Sequence, residues 1–418
     1  MRLAALIPTY AQHISITRII RVAMQVGIVG KPNVGKSTLF SALTLAPAQI
    51  APYPFTTIEA NVGVGFVRAK CPHQILGKPC QPKNSHCENG TRFVRIEILD
   101  VAGLVPDAHK GKGLGNKFLD DLRQADALIQ VVDASGGTDC EGNPVTKGCH
   151  DPLEDVAFLD KEVSYWIYGI LGKGLDRLVK QAKLAGTKIE KILYDKLTGL
   201  KINEAQISAG LRNADLNSDP TRWTDDDVLK LAEELLKASK PMIIAANKCD
   251  IAPPELIKKL SDAHERVMPT AADYELTLRR AAKAELIDYT PGDHGFKIKS
   301  PEKLNEMQTA ALNKINSWLI VNKGTGVQEC LERAVFEMLN LIVVYPVVDE
   351  THWTDKEGNV LPDAYLVPRG SNAKDLAFKV HTDLGNNFIR AIDGKTHMTV
   401  GAAHVLNDGD VIKIVART

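Results

Sequence analysis

The sequence predicts an α/β protein with a mostly parallel sheet, interrupted by a helical insertion and followed by a smaller α+β region. Apolar runs at 26–29, 127–132 and 242–246 are continuous and bounded by polar residues, which is typical of strands buried on both faces. A helical pattern at 39–45 follows the first run. Strands that alternate with helices indicate a doubly wound sheet.

Composition sets limits on the class of protein. The chain has 418 residues, of which 44% are apolar and 24% charged, and its formal net charge is zero. This length predicts two or three domains. The balanced charge of the whole chain argues neither for nor against binding to nucleic acid, so any such role must come from local patches. An odd number of cysteines, seven, argues against a secreted disulfide scaffold. No apolar run reaches the ~20 residues of a membrane span.

The first 23 residues are predicted to be a leader that is not native. Met24 stands directly before the first predicted strand, so we expect it to be the natural start. A targeting role is the alternative, because Arg2 and the apolar stretch 3–7 weakly resemble a signal peptide. Pro8 and Arg18 interrupt that pattern.

The remaining domain boundaries follow from changes in pattern. We expect the α/β domain to comprise 24–160 and 241–340, with a helical insertion at 161–240. Strand patterns at 341–348, 364–367, 388–392 and 411–415, with a helix at 372–384, predict a compact α+β domain over 341–418.

Apolar residues at helical spacing in the insertion are compatible with a coiled-coil hairpin. Residues 171–201 carry eight Lys and Arg against three Asp and Glu, a net charge of +5. This stretch is either a solvated helical surface or a basic helix that contacts RNA phosphates.

A glycine-rich loop predicts phosphate binding. Residues 30–37, GKPNVGKS, fit the pattern G-x-x-x-x-G-K-[ST] between a strand and a helix. Lys36 is expected to meet the β- and γ-phosphates, and the Ser37 hydroxyl to bind Mg²⁺. The residues expected to contact the nucleotide here are Asn33, Val34, Gly35, Lys36, Ser37 and Thr38.

Two further motifs predict the rest of a Mg²⁺ and γ-phosphate site. Residues 100–103, DVAG, fit D-x-x-G, so Asp100 is expected to hold Mg²⁺ through water and the Gly103 amide to face the γ-phosphate. The sequence Pro-Phe-Thr-Thr lies between the glycine-rich loop and DVAG. In it Thr57, or else Thr56, is a candidate Mg²⁺ ligand.

The nucleobase is predicted from residues 247–250, NKCD, which fit N-K-x-D. The Asp250 carboxylate can accept two hydrogen bonds from the guanine edge, whereas adenine lacks that donor pair. Asn247 and Lys248 complete the motif. The order of the four motifs therefore predicts a GTPase.

With these motifs the chain resembles the Obg family of GTPases, and most closely its YchF subgroup. The residues that carry the resemblance are GKPNVGKS at 30–37, YPFTT at 53–57 and DVAGLVPDAHKGKGLGNKF at 100–118. The resemblance implies a P-loop G domain of Ras-like fold. It further implies a C-terminal TGS domain of β-grasp fold and contact with the ribosome, its RNA or tRNA.

The resemblance also implies several residue roles. A hydrophobic residue, Leu104, takes the place of a water-positioning glutamine, which implies slow hydrolysis. His109 matches a family histidine that positions water or stabilises charge, although it could equally be a surface residue. Asn33 matches the asparagine that lets K⁺ bridge the phosphates. Ala271 and Ala272 align with the last base-contacting loop, where the family usually has Ser-Ala.

A cysteine-rich insertion at 68–92 leaves three interpretations open. Cys71, His73, Cys80 and Cys87 could bind structural Zn²⁺, although their spacing fits no standard finger. A surface hairpin with free thiols and a redox role are the alternatives. Cys140 and Cys149 could also form a pair, but a reducing cytosol argues against it.

Three functions are compatible with the sequence. The first is a GTP-hydrolysing switch associated with translation, a cytoplasmic monomer that binds guanine nucleotides but no DNA and no membrane. The second is an ATP-hydrolysing relative with a role in stress or redox regulation. The third is a nucleotide-bound scaffold for RNA or the ribosome with negligible turnover.

Overall fold

The chain forms two compact units. The computed structural model describes residues 24–45, 62–101, 103 and 115–417. The large unit comprises 24–67 and 96–339, and the small unit includes 68–95 and the C-terminal segment from 340.

The described strands are, in chain order, β1 (Gln25–Val29), β2 (Val62–Lys70), β3 (His86–Glu88), β4 (Thr91–Asp100), β5 (Ala127–Asp133), β6 (Met242–Asn247), β7 (Val267–Thr270), β8 (Ile287–Asp288), β9 (Lys297–Ile298), β10 (Leu341–Val347), β11 (Tyr365–Pro368), β12 (Phe388–Asp393), β13 (Thr399–Val400) and β14 (Val411–Ala416). Every strand predicted from the sequence is present, within about three residues of its predicted ends.

The described α-helices are α1 (Lys36–Thr44), α2 (His73–Leu76), α3 (Gly115–Gln124), α4 (Pro152–Gly172), α5 (Leu175–Ala185), α6 (Ile189–Leu197), α7 (Glu204–Ala214), α8 (Asp225–Ser239), α9 (Pro254–Ala263), α10 (Ala272–Lys283), α11 (Glu306–Asn322), α12 (Val327–Arg333), α13 (Ala373–Val380) and α14 (Thr382–Asn386). Within the described ranges, none of these helices is both long and apolar enough to cross a membrane.

The main sheet has the strand order β2-β4-β1-β5-β6-β7, with β3 paired to β4. The pairs β1–β4, β1–β5, β5–β6 and β6–β7 are parallel. Every residue of β5 is buried, as its continuous apolar run predicts for a strand covered on both faces. The parallel arrangement brings the carboxyl ends of β1, β5 and β6 to one edge of the sheet.

Helices α4 to α8 form the predicted helical insertion, but they do not make a coiled-coil hairpin. The longest, α4, has 21 residues and begins at Pro152, so the predicted boundary at 160/161 lies inside it. The Asp151 side chain caps α4, and capping boxes begin α7 and α8. The five helices pack against one another, and their apolar faces share one core with residues of β1, β4 and α3.

The small unit contains a five-stranded sheet of order β11-β10-β14-β12-β13. Strand β10 pairs in parallel with β14 and antiparallel with β11, and α13 packs its apolar side on the sheet. The single helix predicted at 372–384 is two helices, because His381 is extended (φ −160°) and its ring Nδ1 accepts a hydrogen bond from the Asp383 amide.

Residues 68–95 correct the predicted domain assignment. The sequence placed them in the α/β domain, whereas in the structure they cluster with the C-terminal residues. The Gln81 and Lys83 amides donate to the carbonyls of Val360 and Pro362, at 2.9 and 2.6 Å. The Asn84 side chain accepts from the Ala364 amide at 2.9 Å. These hydrogen bonds explain why the insertion belongs to the small unit.

We expect Leu235→Ala to lower the free energy of unfolding of the large unit by about 2–5 kcal/mol. Leu235 is fully buried on α8, and a Cβ added to Gly210 of α7 would lie 2.8 Å from its Cδ2, so the truncation leaves a cavity between closely packed helices. Denaturant unfolding followed by circular dichroism measures the loss. The control is Leu184→Ala, since Leu184 is 91% exposed and should cost within about 0.5 kcal/mol. Equal losses would contradict this packing.

Candidate functional site

The predicted phosphate loop connects β1 to α1 in a conformation that requires its glycines. Gly30 and Gly35 have φ of 148° and 96°. A Cβ at Gly30 would clash with the Val131 carbonyl of β5, and one at Gly35 with the Asn247 amide. Asn33 also has a positive φ, 63°, which asparagine tolerates better than most residues. The loop therefore keeps close contact with β5 and β6 along its path.

Lys36 lies at the centre of the predicted phosphate site. Its Nζ donates to the Lys31 carbonyl at 2.6 Å, and a Cβ on Gly103 would lie 3.4 Å from this Nζ. Burial lowers the pKa of Lys36 to about 8, although Asp100 opposes that shift. Burial in turn raises the pKa of Asp100, and Lys36 partly offsets the increase. The structure thus brings together three residues predicted from two separate motifs.

Ser37 and Thr38 follow in the first turn of α1. Ser37 is exposed and Thr38 half-buried, whereas Val34 is fully buried in the loop. The exposed hydroxyl of Ser37 can be reached by a metal ion at the loop. Val34 offers only its backbone, because its side chain packs in the core.

Asn247 and Lys248 hold the phosphate loop from the end of β6. The Asn247 Nδ2 donates to the Val34 carbonyl at 2.9 Å. The Lys248 Nζ donates to the Asn33 carbonyl at 2.9 Å and pairs with Asp133 at 2.8 Å. These two residues of the predicted base-binding motif therefore shape the phosphate-binding loop.

Asp250, the predicted base-reading carboxylate, follows the end of β6. It is half-buried, and this burial raises its pKa, while its own backbone amide lowers it. Within the described ranges, no other group donates a hydrogen bond to it. Its acceptor capacity is thus available to a ligand.

The structure corrects the prediction for Ala271 and Ala272. The Ala271 amide donates to the Thr325 carbonyl at 2.9 Å, and the Ala272 amide donates to Asn247 Oδ1 at 3.1 Å. Both amides hold the loop between β7 and α10, so neither is free to contact a guanine oxygen. The alignment that suggested this role could not reveal partners this distant in the sequence.

A segment between β5 and α4 also contacts the phosphate loop, which sequence analysis missed. Asn33 Nδ2 donates to the Gly142 carbonyl at 3.0 Å. The Oδ1 atom of Asn33, which is the atom able to bind a cation, takes no part in this hydrogen bond. Gly142 has φ of 87°, and a Cβ there would lie 2.6 Å from the Pro32 carbonyl.

Lys31 makes a second connection that the sequence did not reveal. Its buried Nζ pairs with Asp155 of α4 at 2.8 Å and donates to the Thr138 carbonyl at 3.0 Å. His150 Nε2 lies 2.7 Å from the same Asp155 carboxylate. Lys31 therefore anchors the phosphate loop to α4. Its partner is 124 residues away, and no spacing rule connects them.

Four predicted residues lie outside the described part of the chain: Thr56, Thr57, Leu104 and His109. Their roles stay predictions.

The predicted metal ligands of the insertion come together in the small unit. Ligand atoms of Cys71, His73, Cys80 and Cys87 all lie within 4.8 Å of one another. Cys140 and Cys149, in contrast, are exposed free thiols.

Comparisons with known families match the same segments. Residues 25–161 match the family described as 50S ribosome-binding GTPase. Residues 245–349 match the G4 motif-containing domain of Obg-like GTPases of the YGR210 type, and residues 354–416 match the TGS domain.

Relatives cover nearly the whole chain. An uncharacterized GTP-binding protein of Methanocaldococcus jannaschii is 52% identical over 394 residues, covering 94% of this chain and 98% of the relative. The ribosome-binding ATPase YchF of Bacillus subtilis is 30% identical, covering 93% and 98%.

Solved structures have the same architecture. The crystal structure of a GTP-binding protein from Pyrococcus horikoshii is 43% identical, with a TM-score of 0.75, covering 94% of this chain and all of the other. The Schizosaccharomyces pombe YchF GTPase, 21% identical with a TM-score of 0.58, shares the fold. The chain therefore belongs to the Obg-like family of P-loop GTPases, in the YchF group with a C-terminal TGS domain.

Proposed function

We propose that the chain hydrolyses GTP to GDP and phosphate, with Mg²⁺ and with stimulation by K⁺, and that this reaction regulates association with the ribosome. The observation that supports the proposal is the set of contacts made by the segment 247–250. Asn247 and Lys248 hold the phosphate loop, while the Asp250 carboxylate keeps its acceptor capacity for a ligand.

Base selection is assigned to Asp250. An ionised carboxylate accepts two hydrogen bonds side by side, which matches the N1–H and N2–H donors of guanine. Adenine offers no such pair of donors. Because Asp250 is half-buried, an adenine base would leave its carboxylate partly desolvated without partners, which costs free energy.

Phosphate binding is assigned to Lys36 and the backbone of the phosphate loop. Loop amides and the amino terminus of α1 attract the phosphate oxygens. The Lys36 ammonium, held beside Gly103, adds a point charge where negative charge develops as the γ-phosphate leaves. The Gly103 amide is proposed to face that phosphate.

The side chains at this loop fit the two cations implied by the family. Ser37 and Asp100 are the proposed Mg²⁺ ligands, since Ser37 is exposed and no described residue forms a hydrogen bond to the Asp100 carboxylate. Bound Mg²⁺ supplies positive charge that neutralises the phosphate oxygens. Asn33, whose Oδ1 is free of the Gly142 contact, is the proposed K⁺ ligand.

Ribosome association is proposed from a basic surface and from the name of a relative. The Bacillus subtilis relative is named a ribosome-binding ATPase. On α5 of this chain, Arg177 and Lys180 are exposed, and neither forms an ion pair with a described residue. Cations one helical turn apart match the repeating phosphates of ribosomal RNA.

An ATP-hydrolysing function is the second candidate, because more distant relatives are named ATPases, including Obg-like ATPase 1 of Homo sapiens at 26% identity. A nucleotide-bound scaffold with negligible turnover is the third. Nucleotide preference separates the first two, and a hydrolysis rate that fails to rise with K⁺ or ribosomes identifies the third.

We expect Asp250→Asn to exchange guanine for xanthine selectivity. The asparagine amide donates where the carboxylate accepted, and xanthine carries an oxygen acceptor in place of the guanine amino group. Equilibrium titration with labelled GDP, XDP and ADP should show GDP affinity falling about 30-fold or more, at roughly 1–3 kcal/mol for each of the two hydrogen bonds removed. XDP affinity should rise. Asp262→Asn, an exposed change on α9, should leave the preference for GDP unchanged. Equal or tighter binding of ADP by the unaltered chain would establish the ATPase alternative.

The lowered pKa of Lys36 predicts a pH-dependent affinity. The lysine is protonated below about pH 8 and neutral above it, and only the ammonium attracts phosphate. GDP affinity should therefore fall about tenfold between pH 7 and pH 9. The control is Lys36→Arg, whose guanidinium stays charged over this range and corrects for ionisation of the base. An identical decline in both proteins would exclude Lys36 as the titrating group.

We expect the double variant Arg177→Glu, Lys180→Glu to weaken binding to ribosomes of the source organism. Cosedimentation at several salt concentrations should show the slope of log affinity against log salt reduced by about two, one for each cation removed from the phosphate backbone. Lys258→Glu, the same charge reversal on α9, should leave the slope unchanged. If all three proteins share one salt dependence, α5 does not contact ribosomal RNA.

A further inference from the structure

We propose that Cys71, His73, Cys80 and Cys87 form a structural zinc site in the small unit. These four side chains supply all four ligands of a tetrahedral zinc ion. The Sγ atoms of Cys71 and Cys80 are 3.9 Å apart. His73 Nδ1 lies 3.2 Å from the sulfur of Cys80 and 3.5 Å from that of Cys87.

These separations match tetrahedral coordination. Zinc bonds of ~2.3 Å to sulfur and ~2.0–2.1 Å to nitrogen place two sulfurs about 3.8 Å apart and a sulfur and a nitrogen about 3.6 Å apart. A disulfide would need sulfurs ~2.05 Å apart, and all three cysteines are free in the structure. The donor set is thus spaced for a common ion rather than for a bond between two of its members.

The backbone brings the four ligands together from three stretches of the insertion. Cys71 follows β2, and its amide donates to the Gly90 carbonyl at 2.9 Å. His73 begins α2, Cys80 lies in the following connection, and Cys87 is in the centre of β3. Convergence from three separate stretches is not expected of a surface hairpin with unrelated free thiols.

The insertion has no apolar core of its own. Helix α2 has no buried residue, and Ile75 within it is 69% exposed. From 71 to 90 the buried residues are Cys71, Pro72 and Ser85. So few buried groups cannot hold a segment of this size by hydrophobic burial, and short segments that bury little apolar surface usually need a metal or disulfides. A four-ligand zinc site meets this need.

Arg92 supplies charge balance. Three thiolates and one neutral histidine around Zn²⁺ carry a net charge of −1. Arg92 is opposite Cys87 in the β3–β4 pairing, fully buried, and within ion-pair distance of no carboxylate of the described residues. It donates instead to Ser85 Oγ and the Leu361 carbonyl. A buried cation lacking an anionic partner is costly, and the thiolate site would provide that partner.

The first test measures metal in the full chain, purified with reductant and without chelator. Elemental analysis by mass spectrometry should find one zinc per chain. Replacement by Co²⁺ should give intense visible bands of a tetrahedral ion and thiolate charge transfer in the near ultraviolet. Iron in place of zinc, a chain with reduced thiols and no metal, or an octahedral cobalt spectrum would each overturn the proposal.

Variants identify the ligands. Cys87→Ser and His73→Ala should lose the metal, whereas Cys149→Ser, at an exposed thiol outside the cluster, should retain one zinc. His73→Cys should keep the metal and shift the cobalt spectrum toward four thiolates, which a merely misfolded variant could not do. Retention of zinc in Cys87→Ser to the same extent as in Cys149→Ser would refute the assignment.

Hydrogen exchange tests the structural role. Removing the metal from the full chain with a chelator should abolish amide protection in 71–90 and lower it at 360–364, where the insertion donates and accepts hydrogen bonds. Unchanged protection after complete metal removal would show that the ion does not stabilise the insertion.

Discussion

The rest of the site depends on the two hydrogen bonds made by the Asn247 side chain. It lies at the end of β6, donates to the Val34 carbonyl in the phosphate loop and accepts from the Ala272 amide at the start of α10. One buried amide group thus joins the loop after β1 to the loop after β7. Because buried amides cannot exchange these partners for water, losing either one leaves an unpaired polar group. One side chain therefore connects the predicted phosphate-binding loop to the loop between β7 and α10. Lys248 and Lys31 also anchor the phosphate loop, through ion pairs with Asp133 and Asp155.

The sequence could predict the elements and the short-range motifs because both depend on local chemistry. Continuous apolar runs identified β5 and β6, and the glycines of 30–37 identified the phosphate loop, since each signal lies within a few residues. The site's long-range contacts left no such pattern. Lys31 pairs with Asp155 across 124 residues, and Asn33 meets Gly142 across 109. The amides of Ala271 and Ala272 show the same limit: a local alignment suggested a ligand contact, while Thr325 and Asn247 already hold both groups.

The helical insertion shows why apolar periodicity overestimates helix length. Leu, Ile and Val at helical spacing continue through 175–200, which suggested a long hairpin, yet Gly186 ends α5 with φ of 65°. Left-handed glycine terminates helices efficiently, so this apolar stretch is divided between α5, α6 and a short 3-10 turn at Thr198–Leu200. Sequence correctly predicted the helical character. The points at which the helices end, and the chain changes direction, depend on single residues such as Gly186.

The division of the chain into units affects how truncations can be interpreted. The small unit is discontinuous, because it includes 68–95, from the end of β2 to the start of β4, while the residues on either side of this segment belong to the large unit. Cutting the chain after residue 339 would therefore not excise a complete unit. It would leave the insertion behind without the carbonyls of Val360 and Pro362 and without the Ala364 amide. A shortened protein of this kind would carry an unsupported, thiol-rich segment, so its aggregation or altered turnover would report on that remnant as much as on the missing TGS domain.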